Sequence, residues 1–149
     1  MTSIEPIAEL SAQRYLVFMA GGRRCACVLE MVREIVPMRA ATRLPGAPAW
    51  VRGLVNLRGA LVTVVDLSAR FGVPRPGDSG EVLVAEAEGK TLGILVDAVK
   101  DVMALDAGRL EAVEAEQSVG GVVSHLAYAG DDQVLVCDVR ALARQVLVI

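Results

Sequence analysis

The chain has 149 residues, and 54% of them are apolar, against about 45–50% in ordinary soluble domains. That much apolar material excludes intrinsic disorder, and the length fits one domain with room for two small subdomains. Fifteen Lys and Arg stand against 18 Asp and Glu, a net charge of −3 with no basic run, and the five aromatic residues are scattered, which argues against a nucleic-acid partner.

Met1 to Leu10 contains Glu5 and Glu9 and no basic residue, so it does not read as a secretion signal; residues 1–11 are expected to be flexible and the protein cytoplasmic. Apolar runs such as Leu61–Val65 are cut by charges such as Asp66, too soon for a membrane span. Tyr15–Ala20 is a strand-like run that ends at Gly21-Gly22, and Arg24–Leu29 resumes after it, the spacing of a hairpin. Cys25, Cys27 and Cys137 are an odd number set in apolar runs, which reads as buried thiols and not as a disulfide framework. In Val32-Arg33-Glu34-Ile35 the alternation of a strand puts Val32 and Glu34 on one face; an edge strand with mixed charges accounts for it equally well.

Pro37–Pro48 is loop-like. Arg58, in Gly53-Leu54-Val55-Asn56-Leu57-Arg58-Gly59, interrupts an apolar context, where its planar fork would meet a carboxylate or face a partner. The plainer alternative is a surface arginine with a covered stem. Gly59–Leu67 is a further strand. Asp66 at its end suits the N-cap of a short helix over Leu67–Phe71, because its carboxylate accepts from open backbone N–H groups. Pro74–Gly80 is the candidate linker.

Beyond the linker the chain repeats itself. Tyr15–Val36 lies over Val82–Met103 without a gap at an offset of 67 residues, with five identities and matching charge signs at four further positions. The hairpin returns as Glu81–Ala87, a Glu88-Gly89 turn and Thr91–Val96. Gly53-Leu54-Val55 overlays Gly121-Val122-Val123, which sets Arg58 over Leu126 and Leu57 over His125. Val64-Val65-Asp66-Leu67 overlays Val136-Cys137-Asp138-Val139. Gln133–Val139 then reads as a strand and Val139–Gln145 as a helix capped by Asp138. The repeat units are 14–73 and 80–144 within one domain over 12–149. Each is marginal as a core by itself, so the halves are expected to bury against each other as small barrels.

No catalytic arrangement emerges. A lone His125, two strand cysteines without further ligands and a Gly-Gly turn lacking Lys-Ser/Thr give no triad, zinc site or phosphate loop. No cofactor or metal is called for. A hydrolase pairing Cys25 or Cys137 with His125 would need those groups to meet in space.

The Asn56-Leu57-Arg58-Gly59 run, followed by Val64-Val65-Asp66-Leu67 and Arg70-Phe71-Gly72, resembles the CheW family of bacterial chemotaxis coupling proteins. Tyr15-Leu16-Val17-Phe18, Val32-x-Glu34-Ile35 and Asp101-Val102 with Leu105 match as well. The resemblance implies a mainly β fold of two SH3-like five-stranded β-barrel subdomains, intertwined and packed together, with short helices. It implies a non-catalytic adaptor bridging the cytoplasmic tip of methyl-accepting chemoreceptors to the regulatory domain of a CheA-type histidine kinase, recruited to receptor arrays, where other CheW-like domains are further partners. It also implies that Glu34 and Arg58 pair near the partner surface, that Val32 and Asn56 belong to that surface, and that Gly53 and Gly59 match positions where substitution impairs coupling. Two departures stand out: many relatives continue into a further C-terminal helix, and the segment with Cys25 and Cys27 is unusually apolar. The latter leaves open a scaffold for another motility or membrane signalling assembly, such as one steering surface motility or pili.

Overall fold

The computed structural model describes residues 12–75 and 77–146; the expected flexibility of residues 1–11 lies outside them. β1 (Gln13–Ala20) and β2 (Arg23–Val28) form the first hairpin, followed by β3 (Val32–Pro37), β4 (Val51–Leu57) and β5 (Ala60–Asp66). A one-turn helix, α1 (Leu67–Arg70), precedes the second copy of the pattern. That copy comprises the hairpin of β6 (Glu81–Ala87) and β7 (Lys90–Val96), then β8 (Ala98–Leu105), the two-residue β9 (Glu111–Ala112), β10 (Val123–Ala129), β11 (Asp132–Cys137) and α2 (Val139–Val146). Both caps form as expected: Asp66 accepts from the Ala69 N–H at 3.2 Å and Asp138 from the Ala141 N–H at 3.1 Å.

The strands make two sheets, in the orders β3-β6-β7-β5-β4 and β8-β1-β2-β11-β10-β9. The orders are equivalent once β3 is set against β8, β6 against β1, β7 against β2, β5 against β11 and β4 against β10. The short β9 makes the second sheet six-stranded instead of five. Each N-terminal hairpin therefore sits in the sheet built by the other copy. It is joined there by antiparallel pairing at one side (β1 with β8, β6 with β3) and parallel pairing at the other (β2 with β11, β7 with β5).

Why these segments are so apolar follows from this arrangement. Val82, Val84 and Leu95 point into the first barrel with Val36, Val55 and Val64. Their neighbours Leu83, Ala85, Leu92, Ile94 and Val96 point the other way, into a core shared between the two barrels. The same holds for β1: Tyr15 and Val17 fill the second barrel, while Leu16, Phe18 and Ala20 enter the shared core. Strands covered on both faces lose the polar alternation of a half-exposed sheet and read as near-continuous apolar runs. Cys25, Cys27 and Cys137 all lie in the shared core as free thiols.

The sequence overlay of the hairpins is in register with the structure, and even the β-bulges coincide, at Arg33 against β6 and at Lys100 against β1. Downstream, the overlay of Val64–Leu67 on Val136–Val139 holds, but that of Gly53–Val55 on Gly121–Val123 does not. Val51 pairs with Val65 as Val123 pairs with Cys137, so the offset there is 72 and Gly53 corresponds to His125, not to Gly121. Arg58 corresponds to Gly130, not to Leu126. The connection before β10, residues 106–122, is longer than the one before β4, residues 38–50; a glycine four residues upstream imitated the match.

A buried ion network fastens the linker. The Asp66 carboxylate is 2% exposed and takes both Arg52, at 3.3 Å, and Arg75, at 3.6 Å, while Arg75 also pairs with Asp97 and donates to the Ser79 carbonyl. Arg52 in turn donates to the Arg75 carbonyl at 3.0 Å. Phe18, only 1% exposed at the centre of the shared core, provides the test of packing. Phe18→Ala is expected to lower the unfolding free energy by about 3–5 kcal/mol, read as a lower urea midpoint.

Candidate functional site

Glu34 on the edge strand β3 and Arg58 in the β4–β5 hairpin meet on the first barrel, with Asn56 and Gly59 in the same turn; Val32 packs against the shared core and Gly53 lies at the β4 bulge, away from that contact. Arg58 and Gly59 are the two turn residues of that hairpin, between the paired Leu57 and Ala60. Both have positive φ, 54° and 85°, the signature of a two-residue turn whose twist matches the strands it joins. The Asn56 side chain closes the turn by accepting from the Gly59 N–H at 2.9 Å. Glycine is the undemanding residue at such φ values; an arginine there costs roughly 1–2 kcal/mol. At the equivalent position the second copy has Gly130, with φ 64°.

What the arginine gains is position. Its Nη2 lies 3.5 Å from Glu34 Oε1, so the ion pair joins the turn to β3 across the open side of the barrel. Arg58 is 81% exposed and Glu34 34%, so the pair contributes little to stability. Glu34 Oε1 is itself shielded from solvent and accepts no hydrogen bond. Val32, two residues before Glu34, is half-buried against the shared core. The expected shared face of Val32 and Glu34 does not form: the bulge at Arg33 leaves Val32 opposite Ala85 on the shared-core side and Glu34 opposite Val84 on the first-barrel side.

Gly53 acts at one remove. It sits at the β4 bulge with φ 126°, and a Cβ there would lie 2.1 Å from the Thr42 carbonyl oxygen. The absent side chain lets the 38–50 connection pair with β4 through two 2.8 Å hydrogen bonds between Thr42 and Leu54. Sequence reasoning missed two apolar residues beside the turn. Leu61, paired with Asn56 across the hairpin, is 67% exposed, and Ile35 is 40% exposed. For Leu61 the only signal was alternation along β5, carried by the polar Thr63 alone because the rest of the run from Leu61 to Val65 is apolar.

The groups weighed for catalysis lie elsewhere. His125 shares a hydrogen bond with its neighbour Ser124 at 2.9 Å. Burial pushes the Cys27 thiol up to about 12, with a contribution from Cys25, and Cys137 is raised by its hydrogen bond with the Cys25 thiol and then by burial. A nucleophilic cysteine needs the opposite shift. Among the described residues no three His, Cys, Asp or Glu side chains converge as metal ligands would, and no helix is long and apolar enough to cross a membrane.

Paired SH3-like barrels presenting an edge strand, a strained turn and exposed apolar side chains define a docking module. Residues 14–147 match the model of the CheW-like domain. A chemotaxis protein CheW of Rhizobium meliloti (strain 1021) is 38% identical over 105 residues, which cover 69% of this chain and 68% of that protein. Protein PilI of Pseudomonas aeruginosa is 33% identical over 84 residues, 55% of this chain and 47% of that protein. The crystal structure of the scaffolding protein TtCheW from Thermoanaerobacter tengcongensis superposes with a TM-score of 0.78 at 26% identity, covering 88% of this chain and 87% of that one. The chain belongs to the CheW family, a family of chemotaxis coupling adaptors.

Two outcomes are expected. Gly53→Ala should cost about 1–3 kcal/mol in urea unfolding through the clash with Thr42, whereas Arg58→Ala should change stability by no more than about 0.5 kcal/mol. A thiol whose pKa is higher folded than unfolded favours the native state below its unfolded value and loses that contribution as pH rises through the folded one. Stability should therefore fall between the ordinary thiol value of 9.0 and about 12, and alkylation at pH 8 should label the cysteines only after unfolding.

Proposed function

We propose that this chain couples the cytoplasmic tips of methyl-accepting chemoreceptors to the regulatory domain of a CheA-type histidine kinase, without chemistry of its own, in the cytoplasm at receptor arrays. Val32, Glu34, Asn56 and Arg58 supply the contact surface, and Gly53 and Gly59 hold its geometry. A receptor's helical tip offers apolar side chains at helical spacing, which exposed apolar residues beside a polar pair can receive. The kinase domain, and other CheW-like domains in array rings, meet the exposed barrel edges.

The observation that carries this reading is the left-handed Arg58. A turn that would fold better with glycine keeps an arginine, and the arginine's visible work is to reach Glu34 at the surface. Strain retained without a stability gain points to recognition. Signal transmission then requires only that partners bind with different affinity in their two states.

Arg58→Gly separates the two roles. The variant should be at least as stable as the parent, by up to about 1 kcal/mol, because the turn relaxes. In an assay with receptor fragments and a CheA-type kinase it should lose most receptor control of autophosphorylation. A folded variant that retains normal control would overturn the assignment of Arg58 to the contact surface.

A further inference from the structure

We propose that the first barrel carries a second binding site, a cleft for a compact phosphate-bearing anion, on the side of β4 where the 38–50 connection faces the linker. The cleft has a volume of about 470 Å³, and its lining includes Arg43, Arg52 and Arg75 with Asp66 and Asp78; the rest of its wall is small and apolar. None of these residues belongs to the Glu34–Arg58 surface, so the proposal does not depend on the docking role.

Three guanidinium groups face two carboxylates, and the pairing within the cleft is incomplete. Asp66 is fully engaged: it caps α1 and lies against both Arg52 and Arg75. Arg75 is 9% exposed, its Nη atoms are engaged by the Ser79 carbonyl and by Asp97, which lies outside the cleft lining, and its Nε faces Asp66 shielded from solvent, so it lends the cleft charge and not a free donor. Arg52 uses Nε and Nη2 on Asp66 and the Arg75 carbonyl, but its Nη1 makes no hydrogen bond to a described residue. The nearest anion to that nitrogen is Asp78, 3.7 Å away on a half-exposed linker side chain, beyond hydrogen-bonding distance. Arg43, exposed on the opposite wall, pairs with no carboxylate among the described residues.

The cleft thus presents unused planar donors from two walls around a space that one linker carboxylate only skirts. Arginine forks bind tetrahedral oxyanions through paired charge-assisted hydrogen bonds. Asp78 stands at the entrance as a competitor for the Arg52 donors. A ligand seated there would tie the 38–50 connection to the linker. The source, whether free inorganic phosphate or a phosphate group on a small molecule, is separated by comparing probes.

The experiment titrates the full chain with inorganic phosphate and, separately, pyrophosphate at constant ionic strength, following backbone amide shifts, with chloride as control. Saturable shifts on the cleft residues are expected at phosphate concentrations on the order of 1 mM. Arg43→Ala should weaken binding roughly threefold to fivefold and Asp78→Asn should tighten it by a similar factor, the scale of one screened surface charge. Both side chains are exposed, so unchanged thermal midpoints confirm that folding is not what changed. Tighter binding of pyrophosphate would favour a phosphorylated small molecule, and equal or tighter binding of inorganic phosphate the free ion. Shifts that fail to saturate, that chloride reproduces, or that neither variant moves would overturn the proposal.

Discussion

The structure depends on one constraint: neither barrel is made from a single copy of the repeat, although the strands of the first, β3 to β7, follow one another in the chain. Each takes its central hairpin from the other copy of the repeat, and both faces of that hairpin are buried, one inside the barrel and one in the core between barrels. A unit of about 65 residues buries too little surface to be secure alone. Exchanging hairpins removes the problem, because the apolar strands of each copy are covered only when both copies are folded. The high apolar content, the free thiols in the shared core and the two parallel strand contacts at equivalent places all follow from that exchange.

The exchange also shapes what the surface can do. With the hairpins committed to the interior, the strands left at sheet margins are β3 and β4 in one barrel and β8 and β9 in the other. Those margins are where exposed side chains and unpaired backbone collect, and such edges invite partners. In the first barrel the margin is finished by a polar pair, Glu34 with Arg58, and by a glycine that lets a loop close over β4. The second barrel has glycine where the first has Arg58. Duplication supplied the scaffold, and divergence at single turn positions made the two copies different surfaces on a common frame. The Asp66 network adds to the frame by tying the linker to the first barrel and to Asp97 at the end of β7.

Much of this was legible in the chain. Hairpins announced themselves through Gly21-Gly22 and Glu88-Gly89, caps through Asp66 and Asp138, and the duplication through a gapless overlay, because each of these is a local signal carried by a few adjacent residues. The alternation that put Val32 and Glu34 on one face was local too, but it failed because the bulge at Arg33 turns the two to opposite faces. Four features were not legible in the same way. The partners of Asp66, Arg52 and Arg75, are distant in sequence and meet it only after the linker folds back, so Asp66 read as a cap alone. The register of β10 was lost because the preceding connection changed length, which periodicity cannot track. The exposure of Leu61 was hidden inside a run in which Thr63 is the one polar residue marking the same face, while Val62, Val64 and Val65 are buried. The left-handed conformation of Arg58 follows from strand pairing on both sides of it and has no mark in the side-chain type.

Cooperativity between the barrels is the direct consequence of the core they share, and native-state hydrogen exchange of the full chain measures it. Amides of β5 and β7, joined by pairing across copies in the first barrel, and of β2 and β11, joined likewise in the second, should exchange through one global opening, with the same free energy and the same dependence on denaturant. Two separate openings, with β2 and β11 released while β5 and β7 stay protected, would contradict a fold in which each half completes the other.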